Sequence, residues 1–164
     1  MVRVDRAPAG VERGELLERL YRDQSARMWR AILALAGDPE VASDAVAETF
    51  AQALRRGEAI REPERWLWRT VFRVAAGELK ARRREDHGLI EGSYEMDEPA
   101  RELIAALARL SPRQRSAVVL HHAAGYPVRE VAAILGSTPA AVKVHLMRGR
   151  RRLRDLLEEA DPDA

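Results

Sequence analysis

The stretch Pro127–Leu157, PVREVAAILGSTPAAVKVHLMRGRRRLRDLL, decides how this chain is read. Val128, Val131, Ala132, Ile134 and Leu135 recur at the spacing of one buried helix face. Gly136 stops that helix, because glycine enters the left-handed C-cap conformation without a steric cost. Thr138 is a good N-cap for a second helix, and Pro139 suits its first position, where no intrahelical donor is lost. Val142, Leu146, Leu153 and Leu157 form the apolar stripe of that second helix. Lys143, His145, Arg148, Arg150, Arg151, Arg152 and Arg154 fill its other faces. Two helices, a glycine turn and a basic second helix make a helix-turn-helix pattern, whose second helix would enter a DNA groove. An ordinary helical hairpin with a solvated basic face has the same pattern. The flanking sequence has to separate the two.

Immediately upstream, Ser111-Pro112 reads as a cap and first helical position, opening a helix to about Ala124 with Ala117, Val118 and Leu120 available for burial. Gly125 ends it. Leu103, Ile104, Leu107 and Leu110 define a shorter helix from Ala100. Residues 100–158 are therefore expected to form a four-helix unit, and 159–164 an acidic tail after which no further domain follows. The segment EDHGLIEGSYEMDEP at 85–99 has glycines, charges and a terminal proline without periodicity, which marks 86–99 as a flexible linker.

The N-terminal half is helical too. Residues 1–11 read as a tail. A helix from about Glu12 to Ala36 would bury Leu16, Leu17, Leu20, Met28, Trp29, Ile32 and Leu33. Gly37-Asp38-Pro39 is a stop, a cap and a start. The next helix runs to about Arg56 on the stripe Val41, Ala45, Val46, Phe50 and Leu54. Asp44, Glu48 and Gln52 share one polar face of it, to be solvated or to meet a basic partner. Gly57 ends this helix and Pro63 opens a third, to about Arg84, with Trp66, Leu67, Val71, Val74 and Leu79 as core. Trp68 and Phe72, four apart, stack on one side. They either pack in the core or, beside Arg69, Arg73, Lys80 and Arg82–Arg84, offer rings to unpaired bases and cations to phosphates.

Composition narrows the classes. Hydrophobic residues make up 46% of the 164 and aromatics only 5%, enough for an Ala-, Leu- and Val-rich all-α core. The net charge is only +2, so local patches matter more than the total. Without cysteine there is no disulfide, thiolate nucleophile or cysteine–zinc site. The N-terminus has no apolar signal core and no run reaches membrane-spanning length, so a soluble, cytoplasmic protein is expected. Catalytic residues, metal and cofactor are expected to be absent. No H-E-x-x-H, phosphate-binding glycine loop or nucleophile elbow occurs. Of the four histidines, the adjacent His121 and His122 should point to different sides of a helix and make poor co-ligands.

Two helical domains, aromatic and basic in the first, helix-turn-helix in the second, resemble the extracytoplasmic-function (ECF, group IV) sigma factors of the sigma-70 family. The resemblance covers about residues 12–157. It is carried by LYRDQSARMWRAILALAGDPEVASDAVAETFAQALRR, with its D-x-x-x-E-x-F core at Asp44, Glu48 and Phe50, by PERWLWRTVFRVAAGELKARRR, and by LSPRQRSAVVLHHAAGYPVREVAAILGSTPAAVKVHLMRGRRRLRDLL. It implies a region 2 helical bundle at 12–85 and a region 4 helix-turn-helix domain at 100–158. The implied partners are core RNA polymerase (clamp helices and flap), promoter DNA and an anti-sigma factor, with no membrane insertion. Asp44, Glu48 and Gln52 are then the polymerase-binding face. Arg65, Trp66, Trp68, Arg69, Phe72, Arg73 and Lys80 meet the minus-10 element. Thr138, Lys143, Val144, His145, Met147, Arg148 and Arg150 meet the minus-35 element, with Lys143, Val144, Met147 and Arg148 at base edges. Arg113, Arg115 and Arg129, together with His145 and Arg150, hold phosphates, which position without specifying sequence.

The chain departs from the family pattern at Ala47, Gly57, Arg73, Gly77, Val144 and His145. A stand-alone helix-turn-helix regulator, or a sigma-like docking protein that does not initiate, are the competing expectations.

Overall fold

The computed structural model describes residues 9–84 and 97–160, and every regular element among them is helical. Helix α1 spans Ala9–Ala36, α2 Pro39–Arg56 and α3 Pro63–Arg84, with a short 3-10 turn at Gly57–Ala59. Helix α4 spans Glu98–Ala108, α5 Pro112–Val118, α6 Val128–Leu135 and α7 Pro139–Ala160, with a π-helical turn at Val119–Ala123 after α5. The expected linker lies largely outside the described residues, and its last two positions, Glu98 and Pro99, already belong to α4. The N-terminal helix starts at Ala9 rather than Glu12. Gly10 is tolerated there because the N–H groups of a first turn have no intrahelical partner to lose.

The caps follow the punctuation. Asp38 Oδ1 accepts from the backbone N–H of Glu40 at 2.8 Å and of Val41 at 3.4 Å, at the start of α2. Ser111 and Gln114 close a reciprocal capping box on α5. Thr138 Oγ1 accepts from the Ala141 N–H at 3.2 Å. Gly136 adopts φ 58°, ψ 43°, the left-handed C-cap of α6.

Helices α1, α2 and α3 pack on one another around Met28, Ile32, Val41, Ala45, Leu67 and Val71, all essentially without solvent exposure. Helices α5, α6 and α7 pack around Leu120, Val131 and Val142 in the same way. Helix α4 touches both α1 and α7, and α1 also meets the π turn, so one continuous apolar core joins the two halves. Burying each large aliphatic side chain stabilises the fold by about 1.5–3 kcal/mol.

Several expected core positions move. Leu54, at the end of the α2 stripe, is exposed, as is Leu103 on α4. On α7 it is Leu156 that is buried, with Leu157 only half-buried. His121 and His122 do not point apart. The wider π turn widens the helical coil and brings their rings to 4.8 Å, edge to face. His121 Nδ1 lies 2.7 Å from the Tyr126 carbonyl oxygen. Burial first, then His121 and Arg150, lower the His122 pKa from its usual value.

Candidate nucleic-acid interface

Three surfaces carry the residues singled out by the sequence. On α2, Asp44 is exposed and Glu48 and Gln52 are partly so. Gln52 Nε2 donates to Glu48 Oε1 at 2.9 Å, and Arg55 Nη2 reaches the same oxygen at 2.8 Å. The Gln52 hydrogen bond first, opposed by burial and assisted by the hydrogen bond and charge of Arg55, holds the Glu48 carboxyl below its usual pKa. The face therefore presents a carboxylate that stays ionised.

The second surface is α3, several of whose side chains are engaged within the protein. Trp68 and Phe72 do stack, with centroids 6.3 Å apart at 26°. They are not exposed rings, however: Trp68 is 4% and Phe72 5% accessible. The face they occupy is covered by the second half of the molecule. Tyr126 meets Trp68 edge-on at 6.5 Å and 85°, and the Arg27 guanidinium lies 5.4 Å over the Trp68 ring. Arg65 is engaged as well. Its Nη2 is 2.8 Å from Glu130 Oε1 and its Nε donates to Oε2 at 3.0 Å, a two-pronged pair across 65 positions of sequence. Glu130, then Glu62, raise the Arg65 pKa further. Trp66 is half-buried beneath Arg56, whose guanidinium carbon is 5.7 Å from the ring. Arg69, Arg73 and Lys80 are exposed, and Arg73 Nη2 donates to Thr70 Oγ1 at 3.4 Å.

Arg82 leaves the basic run that was expected to follow phosphates. Its guanidinium pins α3 to the start of α2, through Asp38 at 2.6 Å and Glu40 at 3.0 Å.

The third surface is α7. Lys143, Val144, Met147 and Arg148 are all exposed, Val144 at 39% and Met147 at 58%. These apolar side chains stay in water because the helix buries its opposite stripe, Val142 and Leu146, against α5 and α6. Arg150 is exposed, Thr138 is exposed at the helix start and His145 is half-buried. Arg113 and Arg129 are exposed. Arg115 is not a free phosphate ligand: its Nη1 donates to the Leu35 carbonyl oxygen and its Nη2 to that of Ala108, both at 3.0 Å. It ties α5 to the ends of α1 and α4.

Sequence reasoning missed the residues that join the halves, Arg27, Tyr126 and Glu130. Each is an ordinary helix or turn residue by pattern, and no local spacing signals a partner 65 or 96 positions away. Between them lies an open cleft of about 460 Å³, lined by Arg27, Glu64, Arg65, Trp68, Tyr126 and Glu130. The Tyr126 hydroxyl is buried with no hydrogen-bond partner among the described residues, and burial pushes its pKa up to about 12. Among the described residues no group of three or more His, Asp or Glu side chains could hold a metal ion, and no helix is long and apolar enough to cross a membrane.

Similarity to known proteins extends over most of the chain. The family model described as Sigma-70, region 4 matches residues 100–153. An RNA polymerase sigma-E factor of Streptomyces antibioticus is 32% identical over 163 aligned positions, covering 92% of this chain and 91% of that protein. The ECF RNA polymerase sigma factor SigL of Mycobacterium tuberculosis is 32% identical over 174 aligned positions, covering 97% of each. Among solved structures, the sigma factor RpoE of Bartonella quintana, in complex with the anti-sigma factor NepR, superposes with a TM-score of 0.72 at 22% identity, over 88% of this chain and 98% of that one. CnrH, in complex with the cytosolic domain of CnrY, gives 0.68 at 22% identity over 95% and 94%.

Proposed function

The chain belongs to the ECF RNA polymerase sigma factors, and from that membership we propose how its surfaces divide the task of starting transcription. As a sigma factor it works with core RNA polymerase and promoter DNA. Residues 12–85 act as region 2 and residues 100–158 as region 4, joined by the segment 86–99. The α2 face of Asp44, Glu48 and Gln52 docks on the polymerase. Helix α3 meets the opened minus-10 strand through the exposed Arg69, Arg73 and Lys80, and Arg65, Trp66, Trp68 and Phe72 add charge and stacking where the residues that cover them move aside. Helix α7 enters the major groove of the minus-35 element. Lys143 and Arg148 suit guanine O6 and N7, and Val144 and Met147 suit a thymine methyl. Arg113, Arg129 and Arg150 follow phosphates.

The observation that carries this reading is the exposure of a mixed basic and apolar stripe on α7, opposite its buried stripe. Val144 and Met147 stand in water beside Lys143 and Arg148, a mixture of apolar and cationic side chains that suits base edges. The chain supplies recognition and no chemistry of its own, and it acts in the cytoplasm, where the polymerase is. Since RpoE and CnrH were each solved with a bound partner, an anti-sigma protein is proposed for this chain too.

Docking is tested by charge reversal. Asp44→Arg and Glu48→Arg should each weaken binding to core polymerase by about tenfold, an effect of about 1.4 kcal/mol, while leaving the helical circular-dichroism signal intact. Parent-like affinity in both variants would remove α2 from the docking surface.

A further inference from the structure

The loop between α2 and α3 carries a cation at one end and a ring at the other. Arg56, the last residue of α2, is exposed, and its guanidinium carbon stands 5.7 Å from the centroid of the Trp66 ring in the first turn of α3. Trp66 is only half-buried, whereas Trp68 and Phe72 are buried. Of the three α3 rings it is therefore the one most open to an unpaired base. Between Arg56 and Trp66 the chain is tightly set. Gly57 adopts φ 52°, ψ −127°, a conformation left to glycine, and the Ile60 side chain is buried. The Ile60 N–H bonds back to the Gly57 carbonyl at 3.5 Å, and the Trp66 N–H to the Glu62 carbonyl at 2.9 Å. One more fixing point comes from outside the loop. Arg13 on α1, half-buried, donates from Nη2 to the Ile60 carbonyl oxygen at 2.7 Å, across 47 positions of sequence. A charged donor holds a carbonyl more firmly than a neutral one does. Just past the loop, Gln24 Nε2 of α1 donates to Glu64 Oε1 at 3.1 Å.

We propose that Arg13 is a positioning residue for promoter reading: by holding the Ile60 carbonyl it fixes the loop 57–62, and so sets Arg56 and Trp66 side by side to take a phosphate and a base of the opened minus-10 strand. Arg13 acts through the loop and does not itself touch the strand. A loop free to move would present the ring and the cation at varying separations, and binding would have to order it; a loop already tied to α1 avoids that entropic cost. Arg56 thereby joins the strand contacts, as the cation that stands over the ring. The inference rests on the reading of Trp66 as a strand contact.

The test uses the full chain in complex with core polymerase. A randomised single-stranded DNA library is selected on the parent complex, and affinity for the preferred strand is compared with that for a scrambled one. Arg13→Ala should lower this preference about tenfold, the scale of one hydrogen bond to a charged group, while affinity for core polymerase and the circular-dichroism signal stay at the parent level. Arg13→Lys keeps a charged donor and should restore part of the preference. Arg56→Ala should weaken both strands alike and reduce the salt slope by about 0.7, the value for one phosphate of a single strand; an unmoved slope takes Arg56 out of the strand contacts. If Arg13→Ala fails to fold, Gly57→Ala strains the same loop from its other end and should give the same loss of preference. Unchanged preference in Arg13→Ala overturns the positioning role. Equal losses in folding, core affinity and strand affinity make Arg13 a structural tie and overturn it too. Trp66→Ala separates this from failure of the premise: loss of preference there, with none in Arg13→Ala, rejects only the positioning, and no loss in either rejects Trp66 as a strand contact.

Discussion

Gly149 sits inside the basic run of α7, and its buried position follows from one contact. A Cβ added there would stand 2.9 Å from Val118 Cγ2 on α5, so the helices cross where a side chain is missing. Alanine is ordinarily worth about 1 kcal/mol more than glycine in a helix interior. Here the overlap should reverse the sign, and Gly149→Ala is predicted to destabilise region 4 by about 1–3 kcal/mol, read by thermal unfolding. An unchanged or raised midpoint would mean that α5 shifts freely. This glycine was not legible in the sequence, because the arginines around it dominate the pattern. Glu78 is a second residue-scale case. Its Oε2 is buried without a hydrogen-bond partner among the described residues, and burial first, then the charge of Asp44, raises its pKa above 4.5, with Arg82 opposing. A carboxyl with a raised folded pKa favours the folded state below its unfolded pKa and loses that contribution as pH rises through the folded value. Glu78→Gln should therefore raise the unfolding midpoint at pH 7, and the gain should vanish below about pH 4, under the unfolded-state carboxylate pKa. An equal gain at both pH values would place its origin elsewhere.

Among the elements, helix boundaries were legible wherever a side chain does the capping. Asp38, Ser111 and Thr138 bond the N–H groups that their positions predict, and Gly136 turns left-handed where the apolar period of α6 breaks. Periodicity did less well where packing decides. Leu54 and Leu103 fit their stripes yet face water, and the π turn at Val119–Ala123 shifts the register that separates His121 from His122 in a regular helix. Trp68 and Phe72 were open to two readings, and their burial is set by a domain that no local pattern could place over them. For α7 the register itself makes the prediction. Arg148 lies on the exposed stripe with Val144, whereas Arg151 is one of a run of exposed cations further along. Arg148→Ala should relax base preference at the minus-35 element by about 1–3 kcal/mol at one position. Arg151→Ala should instead lower affinity for all sequences alike and reduce the salt slope by about one. Competition binding on a randomised minus-35 library separates these outcomes, and equal, sequence-independent losses would take α7 out of base reading.

For the whole molecule, the order of the two halves was readable from sequence, and their closure was not. The ties between them join Arg27 to Ala123, Arg65 to Glu130 and Leu35 to Arg115, pairs whose partners carry no mark of each other along the chain. Nor does a net charge of +2 disclose that the acidic face of α2 and the basic stripe of α7 lie on separate helices. Family membership makes the protein a promoter-directing subunit, and the surfaces described above say how its residues would share that work. Mapping RNA 5′ ends after transcription of a genomic DNA library, with core polymerase alone and with the chain added, tests this most directly. The account predicts a defined set of start sites that depends on the chain, shares one minus-35 and one minus-10 sequence, and weakens with Asp44→Arg. Stable binding of the chain to core polymerase without any chain-dependent start site would contradict it.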